Sequence, residues 1–206
     1  FPVAALGPLL LLVMFGIVLQ GALRDGVTTW MPSYISETYK LGSAISILTG
    51  VALPVFCIAS LRVVLALYEK SAGNPVRCAG AIFAVGAGAA LLLTLVSGHS
   101  AAGSVFFSAL LTGSMYGVNL MLVSMVPPFF QKYGNISTVS GLLNSCTYIG
   151  SAISTYGIAV LSENLGWKMT AFSWCLIALA GTVVCAIGAG VWKHKMQSKG
   201  EEHERE

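Results

Sequence analysis

Long hydrophobic stretches dominate the chain, and short clusters of polar and turn-forming residues separate them. A helix rises about 1.5 Å per residue, so roughly 20 apolar residues cross the hydrocarbon core of a bilayer. Six stretches reach this length, at residues 8–34, 45–67, 76–96, 105–130, 139–161 and 169–192. The pattern predicts an all-α polytopic membrane protein, with a six-helix transmembrane bundle over residues 1–192 and a charged tail over residues 193–206.

The composition supports a membrane environment. Charged residues make up 9% of the chain and hydrophobic residues 56%, whereas a soluble domain carries about 25% charged residues. The net charge of +3 is too small and too scattered to indicate nucleic acid. The five cysteines show no CxxC spacing and are interpreted as buried hydrophobes. No catalytic triad, carboxylate pair or metal-ligand cluster stands out, so we expect no enzyme, no metal and no cofactor.

The basic residues of the short loops predict the orientation, because cytoplasmic loops carry an excess of Lys and Arg. One side of the predicted bundle holds Lys70, Arg77, Lys132, Lys193, Lys195 and Lys199. The other side holds only Lys40 and Lys168. We therefore expect a multi-pass protein of the cell (inner) membrane, with both ends of this segment in the cytoplasm.

Arg24, followed directly by Asp25, lies deep in the first predicted helix. An arginine at the centre of a membrane helix costs about 2.5–3.5 kcal/mol on insertion scales, so it needs an anionic partner or a hydrated cavity. In the alternative interpretation, Arg24 ends a short helix and extends its side chain to the membrane surface. We expect the buried, functional position.

Polar residues recur at helical spacing on three of the predicted helices. Gln20, Arg24 and Thr28 share one face of the first helix. The other two faces comprise Ser108, Thr112, Tyr116 and Asn119 on the fourth helix and Asn144, Tyr148, Ser151 and Thr155 on the fifth. We expect Arg24, Gln20, Thr28, Tyr116, Asn119, Asn144 and Tyr148 to line a hydrated site. A single Ser or Thr side chain more often makes a structural hydrogen bond, either to another helix or within its own helix.

Glycines mark the remaining predicted helices. The third and sixth helices carry several glycines and few hydrogen-bonding side chains, which favours close helix packing and lipid contact. Gly113 and Gly117 form a GxxxG pair on the fourth helix, and we expect this pair to permit a tight helix contact.

Three segments resemble a known transporter family. Residues 23–34 read L-R-D-G-V-T-T-W-M-P-S-Y. They are similar to the seventh helix of the organophosphate:phosphate antiporters, where L-R-x-G-V-x-x-W-x-P-x-Y contains the phosphate-binding arginine. Tyr116-Gly117 resembles the tenth helix, and residues 141–150 with the following Gly166-Trp167 resemble the eleventh. Nearly the whole chain resembles the C-terminal six-helix half of a major facilitator superfamily transporter, in the family of the glycerol-3-phosphate transporter.

The resemblance implies a function and a partner. Arg24 would bind the substrate phosphate, with Tyr116 and Tyr148 lining the cavity, because a guanidinium presents paired donors to phosphate oxygens. The protein would exchange an organophosphate or sugar phosphate for phosphate by alternating access. An N-terminal six-helix half would complete the carrier, with the site between the halves.

Asp25 departs from the family pattern, because the glycerol-phosphate carrier has an uncharged residue there. Asp25 could partly neutralise Arg24, couple transport to a proton, or face another helix. The loop at residues 68–77 also lacks a clean G-x-x-x-D-R/K gating motif. Two other functions therefore stay open, namely a membrane receptor that binds the anion without transporting it and a proton-coupled symporter of another organic anion.

Overall fold

The computed structural model describes residues 3–42, 46–47, 49–71, 73–133 and 136–203. The long elements within these ranges are helices α1 (Val3–Tyr39), α2 (Ala52–Lys70), α3 (Pro75–Val96), α4 (Ala101–Asn119) and α5 (Ile136–His203). A π-helical segment, Leu120–Met125, and a 3-10 segment, Pro127–Tyr133, join α4 to α5. The described residues therefore form an all-helical protein, as predicted. Ile45, the predicted start of the second helix, lies outside them.

Among the residues that the structure describes, four segments are long and apolar enough to cross a membrane. They are Gly7–Tyr39, Pro75–Val96, Ala101–Gln131 and Ile136–His194. Large hydrophobic side chains are also exposed around the helices, including Leu11 on α1, Ile58 on α2 and Leu95 on α3. Such a surface is unusual for a soluble monomer and suits contact with lipid. The protein thus has the helices of a membrane-embedded protein, while the expected count of six crossings stays a prediction.

Helix α5 is interrupted at Gly166, where the backbone (φ 76°, ψ 168°) is not helical. A positive φ is accessible to glycine at little steric cost, so this residue is well suited to a chain reversal. We call residues 136–165 the first arm and residues 167–203 the second arm. The fifth predicted helix ended at residue 161 and the sixth began at residue 169, so Gly166 lies in the predicted break between them. The second arm continues into the charged tail as far as His203.

The first arm runs parallel to α1. A Cβ built on Gly21 would meet the backbone of Thr147, and one built on Gly26 would meet Ser154. Ser154 Oγ also donates a hydrogen bond of 2.6 Å to the carbonyl oxygen of Ala22. Residue numbers rise together along the two helices, which shows their parallel direction. The absence of side chains on these glycines lets the two backbones approach closely.

The second arm runs antiparallel to α3 and α1. Gly181 packs on the ring of Phe83, and further along the arm a Cβ on Gly188 would lie 3.1 Å from Val76 and 3.9 Å from Leu12. The first and second arms therefore run in opposite directions. Gly80 and Gly86 on α3 also make close contacts, whereas Gly88 and Gly190 have nothing within 4 Å. The prediction of close packing therefore holds for some of the glycines on the third and sixth predicted helices.

Helices α2 and α4 are parallel to each other and antiparallel to α1. Ser60 Oγ donates a 3.0 Å hydrogen bond to the carbonyl oxygen of Gly113, and Gly117 packs on Val64. This packing confirms the tight contact expected of the GxxxG pair. At the other interface the Tyr34 hydroxyl bonds Ser104 at 3.0 Å, near the start of α4, while Asn119 at its end reaches Gln20. Consecutive helical segments thus alternate in direction.

The ends of α3 and α4 show how local sequence sets these boundaries. Asn74 Oδ1 accepts hydrogen bonds from the backbone amides of Val76 and Arg77, and Pro75 occupies the first turn of α3. Ser100 caps α4 by accepting from the amide of Gly103 at 3.1 Å. Asn and Ser side chains satisfy amides that a helix start leaves unpaired. The start of α4 at Ala101 lies four residues before the predicted boundary at residue 105.

Candidate anion-binding site

Arg24 and Asp25 form an ion pair through two hydrogen bonds. Arg24 Nε donates to Asp25 Oδ1 at 2.6 Å, and Nη2 donates to Oδ2 at 2.9 Å. Their side chains are 16% and 25% exposed. Of the three alternatives for Asp25, the structure shows partial neutralisation of Arg24. A charge-assisted, bidentate pair of this kind lowers the cost of holding an arginine at membrane depth.

The guanidinium keeps donors that Asp25 does not use. It has five N–H donors, two of which bond Asp25, so three remain. Within the described residues these three make no hydrogen bond to protein. The guanidinium carbon also lies 5.3 Å from the centre of the Tyr116 ring, close enough for a cation–π contact. Arg24 is thus held on two sides while part of its donor set stays available.

Side chains from two further helical segments approach Arg24. The Tyr148 hydroxyl, on the first arm, lies within electrostatic reach of the guanidinium, and so does the Cys57 thiol on α2. The Tyr148 side chain is 63% exposed and that of Tyr116 is 38% exposed. The structure therefore places Tyr116 against Arg24 and Tyr148 within electrostatic reach of it, on a partly exposed face of α1, α4 and the first arm. That these residues form one binding site stays a prediction.

Gln20 and Asn119 form a second polar contact one turn before Arg24. Asn119 Nδ2 donates to Gln20 Oε1 at 3.3 Å. Gln20 is fully buried, and its Nε2 has no hydrogen-bond partner within the described residues. A buried donor without a partner is costly and usually binds water or a ligand. Gln20 and Asn119 thus contact each other, but Gln20 is covered by protein, and its expected place in the lining of a hydrated site stays a prediction.

Thr28 and Asn144 are less directly involved. The Thr28 hydroxyl is used within α1, because it donates a 2.7 Å hydrogen bond to the carbonyl oxygen of Arg24. A hydrogen bond within its own helix is the structural role that was the alternative expectation for a single threonine. Asn144 is exposed on the first arm, one turn before Tyr148. It shares the open face without a hydrogen bond to Arg24 among the described residues.

A cavity of about 330 Å³ opens beside this cluster, between α1, α2 and α4. We call it the side cavity. Its lining residues are Thr28, Leu53, Pro54, Cys57, Ile58, Leu61, Thr112 and Tyr116. Sequence reasoning assigned none of the α2 residues to the site. Those residues form no polar stripe, and an apolar wall looks the same in sequence as a lipid-facing surface.

A change of helix type follows Asn119 directly. The α-helix gives way to the π-helical segment Leu120–Met125, which the sequence did not predict. A π turn contains an extra residue, so it shifts every following side chain around the helix axis. The polar face of α4 therefore ends at Asn119.

No protein-family model matches this chain, and a search of curated proteins found no match. The functional proposal therefore depends on the geometry of the site and on the motif resemblance.

Proposed function

We propose that this chain is one half of a secondary active transporter for a small organic anion, and that Arg24 binds the charged group of the substrate. The observation that carries this proposal is a guanidinium at the centre of an apolar helix with three donors left on an open polar face. An organophosphate or sugar phosphate exchanged for phosphate is the substrate class that the motif resemblance implies.

The chemistry of the cluster supports anion binding. A guanidinium forms short, charge-assisted hydrogen bonds with phosphate and carboxylate oxygens. Tyr116 and Tyr148 bring hydroxyl groups to the same open face, and a hydroxyl can donate to an anion. An arriving anion would bond the unused donors of Arg24 and compete with Asp25 for the others.

The arrangement of helices supports a carrier. In this proposal six helical segments of alternating direction, with α5 contributing both arms, cross the membrane and leave both ends in the cytoplasm. The open polar face would be covered by an N-terminal six-helix half. Alternating access would then result from rocking of the two halves about an anion held between them.

Uptake by the full-length protein in proteoliposomes tests the proposal. Labelled inorganic phosphate is supplied outside and unlabelled phosphate is loaded inside. Arg24→Ala should reduce uptake to background, whereas the matched control Arg62→Ala, at an exposed site on α2, should retain it. Wild-type uptake in Arg24→Ala would contradict the proposal. Arg24-dependent binding without any uptake would favour the receptor instead.

The Arg24–Asp25 ion pair favours a second candidate, a proton-coupled symporter. A proton on Asp25 would release Nε and Nη2 of Arg24 for an anion, so binding of the proton and of the anion would support each other. Asp25→Asn should then remove the pH dependence of uptake while exchange continues. Unchanged pH dependence in Asp25→Asn would contradict this candidate.

A further inference from the structure

We infer that the anion bound at Arg24 carries an apolar body, such as an aromatic ring or a short alkyl chain, and that this body enters the side cavity. The inference rests on the proposed function, because it takes anion binding at Arg24 as given. It narrows the substrate from organic anions in general to those with an apolar rather than a polyhydroxylated body.

The side cavity lies where a group attached to the anion would extend. Tyr116 belongs to the cavity wall, and its ring centre is 5.3 Å from the guanidinium carbon of Arg24. Cys57, also in the wall, lies within electrostatic reach of the same guanidinium. Thr28 is one helical turn after Arg24 and contributes a third side of the mouth. One molecule can therefore bind Arg24 through its charged end and place its apolar body in the side cavity.

The wall selects against hydroxyl groups. Helix α2 contributes Leu53, Pro54, Ile58 and Leu61, whose side chains offer no hydrogen bond. A polyol entering the cavity would lose its hydrogen bonds to water without replacement, which is unfavourable. An aromatic or alkyl group would gain by leaving water. The positive charge of Arg24, which lies against the wall residue Tyr116, complements the anionic end of the same ligand.

One polar group in the wall is unsatisfied. Thr112 lines the side cavity and is fully buried, and its Oγ1 has no hydrogen-bond partner within the described residues. The neighbouring hydroxyl of Thr28 is already used by the α1 backbone. Because the Thr112 oxygen is itself covered by protein, it offers no hydrogen bond to a molecule in the cavity, and the wall stays apolar toward its contents.

The volume limits the size of the body. About 330 Å³ lies near the lower end of the range for small-molecule pockets, roughly 300–1,000 Å³. A single ring or a short chain therefore fits.

Competition binding with the full-length protein in detergent tests the inference. Phenyl phosphate and glycerol 3-phosphate share a head group and differ in the body, and benzoate and glycerate make the same comparison for a carboxylate. The aromatic member of each pair should bind at least tenfold more tightly. Equal or reversed affinities in both pairs would overturn the inference.

A cavity-filling variant separates this inference from the proposed function. Leu61→Trp should weaken the binding of phenyl phosphate at least tenfold and leave the binding of inorganic phosphate unchanged. The control Leu92→Trp, on α3 outside the side cavity and similarly exposed, should change neither. If Leu61→Trp leaves the affinity for phenyl phosphate unchanged, the side cavity does not bind the apolar body and the inference is overturned. If inorganic phosphate binds equally well to wild type and Arg24→Ala, the proposed function itself fails.

Discussion

Replacing Asp25 by asparagine should strengthen anion binding at Arg24. In the wild-type protein an anion has to compete with a carboxylate that already bonds Nε and Nη2 at 2.6 and 2.9 Å. Two unit charges about 4 Å apart interact by about 4 kcal/mol at an effective dielectric constant of roughly 20. Because both side chains are partly exposed and the asparagine amide keeps some hydrogen bonding, we discount this to about 1.5–3 kcal/mol. The dissociation constant should fall about 10- to 100-fold.

Calorimetric titration of the full-length protein with inorganic phosphate measures this change at constant pH and ionic strength. Glu163→Gln is the matched control, because it removes one negative charge from an exposed position on the first arm. This control should bind phosphate as the wild type does. An unchanged or weaker affinity in Asp25→Asn would refute the reasoning, since Asp25 would then not compete with the anion for Arg24.

Three further substitutions test the site and its framework. Arg24→Lys keeps the charge but loses the planar fork, so phosphate affinity by calorimetry should fall about tenfold with the thermal stability retained. Gly150→Leu should lower the melting temperature in detergent because a Cβ there meets the α1 backbone, whereas Gly157→Leu, with nothing within 4 Å, should not. Trp167→Phe removes the 2.7 Å hydrogen bond to Glu37 and should destabilise the protein by about 1 kcal/mol in urea titrations.

Each of these three expectations has an opposite outcome that would count against it. Wild-type phosphate affinity in Arg24→Lys would show that fork geometry is unimportant. Equal melting temperatures for the two glycine variants would contradict the close contact between the first arm and α1. Unchanged urea stability in Trp167→Phe would mean that its bond to Glu37 contributes nothing measurable.

Helix boundaries were predictable where a local signal sets them. Residues 76–96 were predicted and Pro75–Val96 is observed, since Asn74 caps the start and the Ser97-Gly98 pair follows the end. Gly166 was likewise recognisable as a break. The π-helical segment Leu120–Met125 had no such signal, because five of its six residues are apolar, as in an ordinary membrane-type helix.

The candidate site was predictable only in part. The helical spacing of polar residues found the neighbourhood of Arg24, Tyr116 and Tyr148. It left open where Asp25 points, because consecutive residues on a helix do not normally face each other. The side cavity was missed because its apolar wall comes from three helices that are distant in sequence. Such a wall becomes recognisable only after folding brings the helices together.

The most direct test of the central claim asks whether Arg24 faces water and holds an anion. Phenylglyoxal, which modifies arginine, is applied to the full-length protein in detergent with and without saturating phosphate, and peptide mass spectrometry follows each arginine separately. Arg62 and Arg77, both exposed, serve as internal controls. We predict that Arg24 is modified and that phosphate protects it while the two controls react as before. An Arg24 that never reacts, or that reacts equally with and without phosphate, would contradict the claim.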